Sequence, residues 1–347
     1  MSHRPTIFLH IPKTAGTTLR FILEDFYDKS ETFKLYENEE HSGFAAFKKL
    51  TDAEKRKIKF FLGHMPFGLH REIPQECKYI TMLRDPVEQF ISYHNHMKTI
   101  ACDSGIPEMR RKWAEIAKMN LEEYTASNIF PFNYNFQVNL LSDRFDYDYK
   151  PRDPSDSADR PPTTKHLEEA KHNLKNHFSL IGLTERFDES IILARRILGI
   201  PIPYFSVENR GQGRKAKREY PQKTLDRIAE KNSLDMELYQ YAVKLFNEQV
   251  ERFGLYFERK LIELRKTNER ISTLLQEKDD LIKAQNDLLR KLNLDVDSVN
   301  KRIEAAQRAA AEDAVERLKS SWSWRITAPV RKTIALGHKL NNLVSKK

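Results

Sequence analysis

Within six residues, Lys13-Thr14-Ala15-Gly16-Thr17-Thr18, the chain sets one cation, three hydroxyls and a glycine. That combination suits the grip of an anion. Lysine brings a mobile positive charge, glycine lets the backbone come close to a ligand, and threonine hydroxyls donate hydrogen bonds. An apolar run from Ile7 to Leu9 leads into the segment, and a helical pattern through Leu19, Phe21, Ile22 and Leu23 leads out of it. A strand feeding a turn at a helix N-terminus presents free N–H groups and the positive end of the helix dipole. The order of residues excludes a Walker A loop, which sets its lysine after the second glycine. Here Lys13 precedes Gly16.

A second candidate anion site follows in Tyr79-Ile80-Thr81-Met82-Leu83-Arg84-Asp85-Pro86. The apolar run ends at Arg84; Asp85 then suits a helix N-cap, Pro86 the first helical position and Glu88 the third, completing a capping box. Arg84 therefore belongs at the carboxyl end of a strand, where parallel sheets bind ligands. Ser92 lies two turns along the next helix, and an arginine fork with a hydroxyl makes a phosphate clamp. Two anion sites on two strand ends fit a ligand with phosphates on both sides of an adenosine, whereas ATP needs no second clamp. A third strand candidate, Phe60-Phe61-Leu62-Gly63, ends at His64 on the same edge. With an ordinary pKa of ~6.5, an imidazole there can accept a hydroxyl proton near neutrality. His70 is a weaker candidate. His94 and His96 could line an acceptor channel beyond Ser92, but their i, i+2 spacing keeps them off one helix face and argues against a metal pair.

The two motifs together resemble those of sulfotransferases that use PAPS (3′-phosphoadenosine 5′-phosphosulfate), in the branch containing heparan sulfate 2-O-sulfotransferase. The resemblance spans about residues 5–253. It implies that Lys13, Thr14, Ala15, Gly16, Thr17 and Thr18 form the 5′-phosphosulfate loop and that Arg84 and Ser92 hold the 3′-phosphate. It also implies His64, in a Gly-His segment, as catalytic base, and it implies no metal. Sulfuryl transfer needs a stabilised leaving oxygen, the role expected of Lys13. The basic loop 209–218 matches a family loop that closes over the nucleotide, which would bring Arg210 or Arg214 near the 3′-phosphate; holding a polyanionic acceptor is the alternative. Ile181-Gly182-Leu183-Thr184-Glu185 matches a further strand end, where a structural ion pair of Glu185 with Arg186 or a neighbour is expected.

To position these groups the chain needs a strand-and-helix alternation. Strands are expected over 6–10, 58–63, 78–83 and 178–184, and helices over 17–27, 86–99, 108–126 and 222–253. The fold expected is α/β: a P-loop-like three-layer domain over residues 1–256 with a mostly parallel sheet. Residues 150–164, rich in proline and aspartate, read as a mobile loop. From 257 to 318 two interleaved seven-residue apolar series predict a coiled coil and a homo-oligomer. One runs through Phe257, Leu264 and Ile271, the other through Leu261, Leu275 and Ile282, and Asn268, Lys278 and Gln285 are polar exceptions.

A basic tail, 319–347, carries Trp322 and Trp324 beside cations, as segments that touch membranes peripherally do. The 347 residues carry a formal charge of +9 and only two cysteines, Cys77 and Cys102. That count excludes a disulfide framework and a cysteine-rich metal site, and it suits a reducing compartment. With no signal-peptide core at the start, a cytoplasmic location is expected. The expected activity is sulfuryl transfer from PAPS to a hydroxyl of a saccharide or glycolipid, with no nucleic-acid partner. The competing readings are a nucleotide kinase or NTPase, and a coiled-coil scaffold whose nucleotide fold is inactive.

Overall fold

The computed structural model describes residues 4–36, 43–100, 107–127, 129–157, 159–200, 217–291 and 296–320. Five strands, β1 (Thr6–Leu9), β2 (Thr32–Leu35), β3 (Phe60–Gly63), β4 (Lys78–Leu83) and β5 (Phe178–Leu183), form one sheet in the order β2-β3-β1-β4-β5. All four pairings are parallel. Parallel neighbours require crossover connections, and here most of the chain is helical. β1 and β3 are buried along their whole length, which is why they read as unbroken apolar runs. β2 has no such run: Thr32-Phe33-Lys34-Leu35 is an edge strand that buries only Leu35. The sequence reading missed it for that reason.

The helices in chain order are α1 (Gly16–Phe26), α2 (Gly43–Lys49), α3 (Asp52–Lys55), α4 (Pro86–Ile100), α5 (Pro107–Ile116), α6 (Leu121–Ala126) and α7 (Phe136–Leu141). They continue with α8 (Thr164–His177), α9 (Phe187–Leu198), α10 (Gln222–Lys231), α11 (Ser233–Glu251), α12 (Gly254–Lys291) and α13 (Val296–Ser320). The main core lies around the sheet, with Phe8, Phe60, Phe61, Ile80 and Leu180 fully buried. A second core forms among α4, α5, α6 and α10 from Phe90, Ile116, Tyr124 and Ile228.

Two expected helices are each broken in two. The pattern 108–126 divides at Asn120, whose side chain accepts the Glu123 N–H (2.9 Å) while Glu123 returns to the Asn120 N–H (2.8 Å). That reciprocal cap restarts the chain as α6. The pattern 222–253 divides at Asn232, a buried residue whose side-chain oxygen accepts the Asn135 N–H (2.9 Å). Its amide donates back to Ile228 O (2.8 Å), so long-range pairing overrides helical continuity.

The loop 150–164 is not a free segment. Arg144, 2 % exposed, inserts its guanidinium beneath it. Nε pairs with Asp156 (3.1 Å), while the terminal nitrogens donate to Asn139 Oδ1 (2.6 Å), Ser157 O (2.7 Å) and Arg160 O (2.6 Å). A proline-rich composition predicted mobility; one buried cation satisfying several carbonyl and carboxylate oxygens supplies the anchor.

Compact units divide at Ser272 and Thr273. In the first, Phe257 and Leu264 join the main core and Asn268 is buried, so the opening positions of the apolar seam pack on the sheet domain. In the second, Leu274, Leu281, Ile282 and Leu288 of α12 and Val299 and Ile303 of α13 are all exposed. Residues 321–347, with Trp322 and Trp324, lie outside the described residues. Replacing Arg144 by leucine should cost about 3 kcal/mol, since it leaves the buried Asn139 side-chain oxygen and two loop carbonyls without their donor and takes from Asp156 one of its two partners, the other being His166. Urea unfolding measures it, and a loss below about 1 kcal/mol would contradict the anchor.

Candidate active site

The strand order places β1 between β3 and β4, so their carboxyl ends lie side by side. His10 follows β1, His64 follows β3 and Arg84 follows β4. The Thr81 hydroxyl donates to Leu9 O (2.8 Å) and the His10 N–H to Gly63 O (3.0 Å), extending the pairing up to the site.

The turn after β1 is bent by left-handed backbone at Lys13 (φ 68°) and Ala15 (φ 60°). Neither is glycine, and each such residue costs about 1–2 kcal/mol. Strain of this kind concentrates where a main chain is shaped for binding. Ala15 precedes α1 without a side-chain cap, so the first N–H groups of that helix meet no internal acceptor from the cap position. Left-handed turns and helix starts both gather N–H groups toward anions. The Thr14 side chain serves another purpose than the one expected: it is buried and donates to Ile11 O (2.8 Å). Thr17 is exposed and Thr18 half-buried on the first turn of α1.

Gly16 has a role the sequence did not reveal. A Cβ built there would lie 2.2 Å from Cδ2 and 2.4 Å from Nε2 of His10. The close approach the glycine permits is to an imidazole of this chain.

Arg84 is tied down at both ends. Its main-chain N–H donates to Gln137 Oε1 (3.2 Å), and Gln137 Nε2 donates to Arg84 O (2.8 Å). The Asp235 carboxylate, fully buried, accepts the N–H groups of Gln137 (3.0 Å) and Val138 (2.8 Å). Burial pushes its pKa up to about 7 against the pull of those two donors. The Arg84 guanidinium donates to Lys13 O (3.2 Å) and Glu88 (3.1 Å), linking the two anion motifs directly. Its Nε is buried with no hydrogen-bond partner among the described residues.

Asp85 caps α4 by accepting the Glu88 N–H (2.9 Å), as expected, but the capping box is not completed: the Glu88 carboxylate takes Arg84 and the Asp85 N–H goes to Glu185. From the same helix, Gln89 Nε2 reaches Pro12 O (3.0 Å), a tie with no sequence signature. Ser92, buried, is one turn beyond Gln89 and thus on the same side of α4.

His64 donates from Nδ1 to His10 O (2.8 Å), because a carbonyl only accepts. In the neutral ring Nε2 is then the acceptor nitrogen. Burial, ahead of the Arg20 and Lys13 charges, lowers its pKa, while the bond to His10 O opposes them. His70 is instead held by the Tyr79 hydroxyl (3.0 Å), with burial lowering its pKa to about 4. His94 bonds Met119 O (3.1 Å) and stacks on Tyr124, so it belongs to the second core and not to a channel.

Glu185 does not pair with Arg186, which takes Glu189. It accepts the Asp85 N–H (3.0 Å) and the Tyr239 hydroxyl (2.6 Å), joining the ends of β4 and β5. Arg210 and Arg214 lie outside the described residues. Lys217, just beyond them, meets Asp85 at 3.2 Å.

Three adjacent strand ends of one parallel sheet thus carry the Lys13 turn, Arg84 and His64. The chain belongs to the galactose-3-O-sulfotransferase family, whose model matches residues 2–294. It is 28% identical over 283 residues to galactosylceramide sulfotransferase of Mus musculus, covering 77% of this chain and 62% of that protein. Over 262 residues it is 24% identical to heparan sulfate 2-O-sulfotransferase 1 of Xenopus laevis, covering 72% and 69%. Over 200 residues it is 27% identical to heparan-sulfate 6-O-sulfotransferase 1 of Homo sapiens, covering 51% and 45%. The chain thus spans a little under two thirds of the galactosylceramide enzymes it matches.

These relatives overturn the expected cytoplasmic location, since they are Golgi enzymes of the lumen. Two cysteines and a polar start are compatible with either compartment and so decide neither. Among the described residues no helix is long and apolar enough to cross a membrane.

Gly16→Ala should cost about 1–3 kcal/mol by forcing the His10 ring aside. In a His10→Ala background the cost should shrink, because the clash is gone; equal costs in a denaturation cycle would contradict the contact.

Proposed function

We propose that the chain transfers a sulfuryl group from PAPS to a hydroxyl of a galactose-bearing saccharide or glycolipid. One observation carries the reading. Arg84, whose Nε has no hydrogen-bond partner among the described residues, is bonded to the Lys13 turn on the sheet edge where the His64 tautomer leaves Nε2 as the acceptor nitrogen. The residues fit a donor with two separated anionic groups: the uncapped start of α1 suits one and Arg84 with Ser92 the other. The relatives' names supply the acceptor class, a galactosylated lipid in one case and heparan sulfate in another.

PAPS brings a sulfuryl group already joined to a phosphate leaving group. The chain's own residues bind, orient and move a proton. The turn 13–18 holds the phosphosulfate end, and Arg84 and Ser92 hold the 3′-phosphate. His64 Nε2 takes the acceptor hydroxyl proton as that oxygen bonds sulfur and the sulfur–oxygen bond to phosphate breaks. Lys13 meets the charge that grows on the leaving oxygen.

Lys13→Ala should lower turnover by about 10²-fold or more in a folded protein. His64→Ala should lower it by about 10²–10⁴-fold while affinity for the desulfated nucleotide changes little. Radiolabel transfer from PAPS to galactosylceramide measures both, and near-normal rates would remove the assigned role. The lowered pKa keeps His64 neutral to lower pH than a free imidazole. The rate should therefore hold as pH falls through ~6.5 and decline only below it. A decline that begins above ~6.5 would contradict the assignment.

Association between copies belongs to the same reading. Leu275, Ile282 (43% exposed) and Leu289 repeat every seven residues on α12 beyond Ser272, an apolar stripe that a second copy would cover. The tail with Trp322 and Trp324 would add contact with a membrane surface. Sedimentation should give a dimer or trimer at micromolar concentration, and Ile282→Glu with Leu289→Glu should shift it toward monomer. A monomeric parent chain would contradict this.

A further inference from the structure

Resting on the reading of His64 as base, we propose that His10 is a positioning residue for the transfer. Its main-chain carbonyl selects the His64 tautomer, and its imidazole, wedged between Gly16 and His64, sets the base against the donor-binding turn.

Four contacts hold that wedge. The His10 ring stacks on Phe8 with centroids 5.2 Å apart and an angle of 11°. It lies 4.5 Å from the His64 ring on another side. Its Nδ1 meets the Tyr36 hydroxyl at 3.0 Å. Its far edge rests where a Gly16 Cβ would be. At 4 % exposure the ring has no room to rotate away. The residue that touches the anion turn is thus also the one that touches the base. Reacting groups displaced by 1 Å can lose about 10²-fold in rate, so a rigid spacer between donor and base sites is worth its burial.

The spacer must also be uncharged. Burial, then the charges of His64, Arg20 and Lys13, hold His10 well below the ordinary histidine range. Among the described residues, the groups facing His64 are His10, Tyr36 (ring centroids 4.9 Å apart), Lys13 and Arg20, with the Tyr149 hydroxyl on the His64 carbonyl (3.1 Å). Of these, His10 and Tyr36 supply ring contact and burial, while Lys13 and Arg20 supply charge. Removing the His10 ring therefore admits water to His64 and relieves the largest cause of its lowered pKa.

The test measures kcat against pH and affinity for desulfated PAPS in the full chain, for His10→Ala, His10→Gln and Tyr36→Phe, with His64→Ala alongside. His10→Ala should lower kcat about tenfold or more. It should also move the acid limb up toward ~6.5 and leave nucleotide affinity within about threefold. His10→Gln, neutral and of similar volume, should restore most of the rate. Tyr36→Phe should shift the limb the same way by less, and it decides the matter if His10→Ala fails to fold. A lower kcat with an unmoved limb, or nucleotide affinity lost in proportion, would overturn the inference. Full transfer by His64→Ala would instead overturn the base assignment on which it rests.

Discussion

Parallel pairing of β1 with β3 on one side and β4 on the other is the constraint on which the site depends. Adjacent strands run about 4.8 Å apart, so three consecutive strand ends are close enough to serve one small ligand. Every functional group follows from that spacing. The sheet interior is mostly apolar, its buried Thr6 and Thr81 hydroxyls being hydrogen-bonded, while the polar work is concentrated at the carboxyl edge, where loops carry it.

The edge is stiffened by groups that do no chemistry. Gln137 clasps the main chain of Arg84, and Asp235 holds Gln137 by the start of α7. Gln89 ties Pro12 to α4, and Glu185 bridges the ends of β4 and β5. A buried carboxylate such as Asp235 is tolerable only because two N–H groups point at it. The cost of that burial, like the left-handed backbone at Lys13 and Ala15, is met by the surrounding core. The consequence is a stiffened edge at which, among the described residues, the Arg84 Nε has no hydrogen-bond partner and α1 has no side-chain cap.

How much of this was legible depended on range. Lys13, His64 and Arg84 were found because each follows an apolar run, and the run announces a strand end. Asp85 was found as a cap because capping is local. Gln137, Asp235 and Tyr239 were not found, since they act from 53 to 154 positions beyond Arg84 or Asp85 and have no spacing signature. Gly16 was found for an incomplete reason: its neighbour is the ring of His10, which no local pattern links to it. β2 lacks an apolar run because only one of its four residues is buried. Asn232 interrupts a helix that periodicity made continuous, because its partner Asn135 lies far away in the chain.

The central claim is that the Lys13 turn and Arg84 form one cradle for a nucleotide with anions at both ends. Calorimetric titration with 3′-phosphoadenosine 5′-phosphate and with ATP·Mg²⁺, on the parent chain and on Arg84→Ala, tests it most directly. The account predicts micromolar binding of the bisphosphate, lost on substitution, and weak binding of ATP. Tight ATP binding with indifference to the bisphosphate would contradict it.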